Sequence, residues 1–165
     1  MADTAEATPK CVWRIAKETA DYKAVDLSGA GAAKTGNRWN TPGTPVVYCS
    51  SSIALASLEL FAHLGEIAKL RNYFLLCITL PGSSWAARTR LDPAHLPTWN
   101  AVPAGITSMT YGSDWAQSNT SLLLEVPSVM IPEENNVLIN PRHPDATLVS
   151  VTVLRQFQFD PRMDR

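Results

Sequence analysis

The chain has 165 residues, 45% of them hydrophobic and 18% charged, with 14 basic residues against 15 acidic ones. That length suits one domain with a single substantial core, and a balanced charge without Lys/Arg runs argues against direct nucleic-acid binding or a polybasic membrane anchor. No stretch approaches the roughly 20 apolar residues of a membrane helix, and the first ten residues lack the basic start and apolar run of a secretory signal, so a cytoplasmic protein without membrane contact is expected.

Residues 1–9 are small and polar and are expected to be disordered, leaving 10–165 as one domain. Residues 11–15 read as a first strand and 26–35 as a Gly/Ala/Ser/Lys loop. Gly29-Ala30-Gly31 lacks the third glycine of a phosphate-binding turn, and no helical pattern follows it directly. Residues 45–50 read as a second strand between a Pro/Gly cluster and a run of serines. Ser51 or Ser52 then offers an N-cap for a helix over residues 53–70. At about 100° per residue, Ile53, Leu60, Leu64 and Ile67 share one face of it, extended by Leu58 and Phe61. Glu59, His63 and Glu66 fall on the opposite side. Framed by Leu55, Ala56, Ala62 and Leu70, that polar stripe is expected to face a cleft; the plainer alternative is a solvated surface.

Residues 72–80 read as a third strand, closed by Pro81-Gly82. The Pro-punctuated stretch 83–110 suggests only a short strand over 86–91, and Asp114 opens a short helix through Asn119. Residues 122–126, 137–139 and 148–159 read as later strands. The expectation is a compact α+β single domain with short strands around one long helix. Cys11, Cys49 and Cys77 sit in or beside apolar segments with no C-x-x-C pair, so they are expected as reduced, buried thiols rather than zinc or redox groups.

Arg38, Tyr48 and Glu59 follow one another at short, regular intervals on this strand and helix framework. A guanidinium, an aromatic face and a carboxylate are the groups needed to hold a pyrophosphate, stack a nicotinamide ring and stabilise a cationic ribose. The combination points to NAD chemistry. The words Trp13-Arg14, Arg38-Trp39-Asn40, Val47-Tyr48, Leu58-Glu59 with His63 one turn on, Asp114-Trp115, Val126-Pro127-Ser128 and Leu138-Ile139-Asn140-Pro141 occur in order along most of the chain. In that order they resemble the RES domain, the toxin half of bacterial Xre–RES (ParST-like) type II toxin–antitoxin pairs.

The resemblance implies an ADP-ribosyltransferase-like fold and a toxin that cleaves NAD, its substrate, at the nicotinamide–ribose bond without a metal. ADP-ribose would pass to a protein, to phosphate or to water. The implied partner is an Xre-like antitoxin that covers the cleft and carries any DNA binding. Glu59 would stabilise the oxocarbenium-like ribose and accept a hydrogen bond from its 2′-hydroxyl. Arg38 would hold phosphate oxygens through a bidentate fork. Tyr48 would stack on nicotinamide or order the substrate through its phenol, Ser128 would bond the ribose or nicotinamide side, and Arg14 would add a second cationic contact.

Each role has a structural counterpart. Arg14 pairs with a surface carboxylate, Tyr48 is a core aromatic with a satisfied hydroxyl, or Ser128 bonds backbone at a turn. His63 either supports Glu59 from one turn away or packs as a neutral side chain. His95 and His143 lie in Pro-rich loops without metal-ligand spacing, and no G-x-S-x-G elbow, P-loop or H-E-x-x-H occurs. The competing function is a non-catalytic nucleotide-binding or protein-interaction domain.

Overall fold

The computed structural model describes residues 7–65 and 71–163. The strands are β1 (Lys10–Lys17), β2 (Val47–Ser50), β3 (Tyr73–Leu80), β4 (Thr89–Arg90), β5 (Leu123–Pro127), β6 (Asn135–Ile139) and β7 (Ser150–Gln156). They form one seven-stranded sheet in the order β4-β5-β6-β2-β1-β3-β7. All pairings are antiparallel except that of β4 with β5. Four α-helices lie among the described residues: α1 (Ala30–Thr35), α2 (Ile53–Leu64), α3 (Gly82–Ala86) and α4 (Ile106–Ser118). This is the expected α+β architecture, with two helices of similar length in place of one.

Strand alternation sends successive side chains to opposite faces, and the two faces are covered differently. On the back face Val12, Val47, Cys49, Ile78, Leu80, Leu123, Val137 and Ile139 form a core under Leu27, Trp85, Ala146, Val149 and Val151. On the front face Ile53, Leu60 and Leu64 of α2 pack with Trp13, Ile15, Tyr73 and Leu75 of β1 and β3, as the helical periodicity predicts. Trp115 and Ala116 of α4 cover Leu124, Val126 and Leu138 of β5 and β6 on that same side. The strand β2, with the adjoining end of β6, lies between these two helix-covered areas, and the candidate site is built there.

The expected helix over 53–70 begins where predicted, with Ser52 Oγ accepting from Leu55 N, and it ends at Gly65, whose φ of 68° suits a residue without Cβ. Residues 66–70, including Glu66, Ile67 and Leu70, lie outside the described residues. A short α1 replaces the loop expected over 26–35, and α4 starts eight residues before the predicted helix at Asp114. Of the expected disordered N-terminus, residues 1–6 lie outside the described residues, whereas the Ala7 and Thr8 carbonyls lie so close to Gly82 that a side chain there would overlap them.

The cysteines differ from the expectation of three free thiols. Cys11 and Cys77, diagonal neighbours on β1 and β3, are joined as a disulfide, and Cys49 is the free, buried one. Burial pushes the Cys49 thiol up from an ordinary 9.0 to about 12, with the nearby Arg14 charge opposing the shift. The native state therefore keeps this proton over a range in which the unfolded chain releases it. Stability from this group is complete below about pH 9 and is lost as pH rises towards 12, at on the order of 1 kcal/mol per pH unit. Denaturant titrations between pH 8 and 10.5 are expected to show this alkaline fall, and Cys49→Ala is expected to flatten it.

Candidate active site

Glu59 projects from α2, one turn beyond the buried Leu55 and Ala56. Its Oε1 accepts from Ser128 Oγ at 2.9 Å and from Asn136 Nδ2 at 2.6 Å. Among the described residues its Oε2 has no hydrogen-bond partner, so one oxygen is anchored and the other is available. Ser128, fully buried just past β5, accepts at Oγ from the N–H groups of Met130 and Ile131, both at 3.2 Å. Asn136 is in turn held by Ser50 Oγ, which donates to its Oδ1 at 2.8 Å. A helix, a strand and a tight turn thus fix one carboxylate, and charge-assisted bonds of this kind are stronger than neutral ones.

Arg38 lies in the turn from Asn37 to Asn40. Its Nη1 donates to the carbonyls of Trp99 and Ala101 at 3.1 and 2.7 Å, which occupies both of that nitrogen's hydrogens. Nε and Nη2 form the opposite edge of the fork. Burial lowers the guanidinium's pKa, while the charges of Glu59 and then Tyr48 act in the other direction. The Glu59 carboxylate therefore lies within electrostatic range of Arg38. The turn itself is set by α4: Gly112 lies so near the Trp39 carbonyl that a Cβ there would overlap it, and Ser113 Oγ accepts from Thr41 N at 2.9 Å.

Tyr48 points from β2 to the front face. Its hydroxyl donates to Asn40 Oδ1 at 2.7 Å and accepts from Trp39 N at 3.0 Å. Burial raises its pKa well above the ordinary tyrosine value, against the smaller opposing effects of the Trp39 bond and the Arg38 charge. The phenol is therefore committed to the Arg38 turn, and the half-buried ring packs in part against the core of Trp39, Val126 and Leu138. Among the described residues, no three His, Cys, Asp or Glu side chains gather in a way that could hold a metal ion.

Residues 11–161 match the RES domain family. The chain belongs to that family. A toxin of Sphingobium sp. (strain YBL2) described as a Prs ADP-ribosylating toxin is 48% identical over 154 residues, 93% of this chain and 96% of that protein. A protein of Yersinia enterocolitica described as toxin Res is 39% identical over 144 residues, 86% of this chain and 93% of the relative. The toxin–antitoxin complex MbcT–MbcA of M. tuberculosis contains a chain of the same fold, with a TM-score of 0.64 at 16% identity, covering 92% of this chain and 87% of that one.

In this RES domain the structure gathers Arg38, Tyr48, Glu59 and Ser128 on the front of the sheet. It does not bring Arg14 to them. Trp13 pairs with Ser50 and packs on the α2 side, so Arg14 turns to the back face beside Cys49, where its Nη1 donates to the Tyr48 carbonyl at 2.8 Å. His63 is exposed, and no hydrogen bond joins it to Glu59. Sequence reasoning missed Asn136 and Asn40, the two amides that hold Glu59 and Tyr48. The available signal was strand alternation, which places Asn136 on the same face as Leu138, opposite the apolar Val137 and Ile139.

Removing the Tyr48 hydroxyl is expected to weaken the fold locally. Tyr48→Phe leaves Trp39 N–H and Asn40 Oδ1 unpaired, a loss of roughly 1–3 kcal/mol. Tyr48→Ala adds a cavity under the Arg38 turn and should cost more. Thermal melts paired with NAD turnover check the order, and negligible effects of both substitutions on both readouts would remove Tyr48 from the site.

Proposed function

We propose that this RES domain is the toxin of a toxin–antitoxin system and an NAD-consuming enzyme. The single observation that carries the reading is Glu59, anchored at Oε1 by Ser128 and Asn136, with Oε2 unbonded among the described residues and its charge within electrostatic range of the Arg38 guanidinium. In the proposed reaction the bond between ribose C1′ and the nicotinamide nitrogen breaks, and its electron pair leaves with nicotinamide. The pyridinium becomes neutral as positive charge moves to the ribose. Glu59 Oε2 stabilises that charge and accepts from the 2′-hydroxyl. Arg38 binds pyrophosphate oxygens through its Nε–Nη2 edge, and the ring of Tyr48 stacks on nicotinamide. Ser128 orients Glu59 rather than touching the reacting atoms, and Arg14 supports β2 from behind.

A nucleophile then attacks C1′ and gives up its proton. The naming of a 48% identical relative as an ADP-ribosylating toxin favours a protein side chain over phosphate or water as that nucleophile. The partner in this reading is an antitoxin, Xre-like by the family resemblance, and the compartment is the cytoplasm. The test is incubation of the purified protein with NAD labelled in the adenosine half, with and without lysate protein and phosphate. Free nicotinamide with label on protein supports transfer, and label on free ADP-ribose or its 1-phosphate assigns water or phosphate. No nicotinamide under any condition returns the domain to a non-catalytic binding role.

A further inference from the structure

Between Leu96 and Ile106 the chain carries no charged side chain, yet it is tied directly to the cation of the site, because Arg38 Nη1 spends both hydrogens on the carbonyls of Trp99 and Ala101. The segment is also held in an unfavourable shape. Thr98 has a φ of 68°, and β-branched residues are rare in the left-handed region. Strain of this kind persists where the surroundings enforce it, and it collects at ligand clamps. Two short backbone bonds brace it, Trp99 N to the Leu96 carbonyl at 3.2 Å and Ala101 N to the Thr98 carbonyl at 3.0 Å. Trp99 packs in part against the core that includes Trp39 and Trp115, and keeps the rest of its surface open. The result is a fixed, partly exposed indole on a residue whose own carbonyl Arg38 grips.

Resting on the assignment of this cleft to NAD, we propose that Trp99 is the shelf on which the adenine base stacks. The chemistry sorts the two ends of the dinucleotide. The cationic nicotinamide belongs beside the Glu59 carboxylate, the pyrophosphate belongs on Arg38, and the neutral adenine belongs on an uncharged aromatic wall beyond Arg38. Strain in the 98–101 turn sets the indole before the ligand arrives, which reduces the ordering cost of binding. Arg38 thereby has two tasks, gripping the wall with one edge and the phosphates with the other.

The experiment compares nicotinamide release from NAD and from nicotinamide mononucleotide, which has the same scissile bond and no adenosine. The wild-type protein should use NAD with a much lower KM. Trp99→Ala should raise the KM for NAD by about 5- to 150-fold, the range expected for loss of a base–aromatic stack, leave kcat little changed, and leave the mononucleotide unaffected. Trp99→Phe should restore most of the affinity. Equal use of both substrates by the wild-type protein overturns the proposal without any variant, and so does a Trp99→Ala defect of the same size on both. A protein that releases no nicotinamide from either substrate loses the NAD chemistry, and calorimetry then decides the shelf. ADP-ribose binding that weakens in Trp99→Phe and fails in Trp99→Ala keeps it, whereas ADP-ribose bound no better than ribose 5-phosphate removes it.

Discussion

Glu59→Gln is expected to lower nicotinamide release by about 10²–10³-fold, the usual cost of deleting one preorganised electrostatic contact, while NAD affinity changes little. Glutamine keeps the length of the side chain, and its Oε1 can still accept from Ser128 Oγ and Asn136 Nδ2. What disappears is the negative charge, and the charge it opposes develops chiefly in the transition state, so the loss falls on kcat. The variant should remain folded, because the carboxylate's anchors are hydrogen bonds that an amide oxygen can accept. Calorimetry for NAD and chromatography for nicotinamide separate the two effects, and loss of toxicity on expression without a partner reports the same step in cells. Wild-type release by a folded Glu59→Gln protein would falsify the mechanism. A second variant, Asn136→Leu, tests the anchor: it should lower turnover less than Glu59→Gln and should not abolish it, since Ser128 still holds Oε1.

The residues that carry this argument were legible to different degrees, for physical reasons. β1 and β3 stand out because both put apolar residues on the two faces of the sheet, β3 almost without interruption, and α2 stands out because its apolar side and its N-cap agree. The helix α4 does not. It contains Thr107, Ser108, Thr110, Gly112 and Ser113, a poor helix-forming set, and it is held by burial of Trp115 and Ala116 and by close contact of Gly112 with the backbone of Trp39. Those contacts are tertiary and leave no periodic trace. Arg38, Tyr48, Glu59 and Ser128 could be named as candidates because they fall in the order of the RES-domain words, the first three with groups suited to NAD. Asn136 and Asn40 could not, since a strand amide and a turn amide acquire meaning only from the side chains they face. Arg14 shows the converse: strand parity alone, counted from Trp13, sends it to the other side of the sheet.

Arg38→Lys is expected to impair the enzyme far more than its preserved charge suggests. In the proposed reading the guanidinium acts at two edges at once, with Nη1 held by the carbonyls of Trp99 and Ala101 and the Nε–Nη2 edge, without a hydrogen-bond partner among the described residues, assigned to the pyrophosphate. An ammonium is a single point of charge on a flexible stem and cannot serve both edges. If lysine settles on the carbonyls, the phosphates lose their fork; if it turns to the phosphates, two part-buried carbonyls lose their donor and the segment carrying the strained Thr98 turn loses its tie to Arg38. Either outcome raises the KM for NAD, and the second also lets the 96–106 segment relax. Steady-state kinetics should therefore show a loss larger than that of Tyr48→Phe, together with faster amide hydrogen exchange at Trp99 and Ala101. A slow-exchanging loop with impaired kinetics would place Arg38 on the phosphates alone. Near-normal kinetics with fast exchange would leave it as a clamp, and near-normal values of both would remove it from the site.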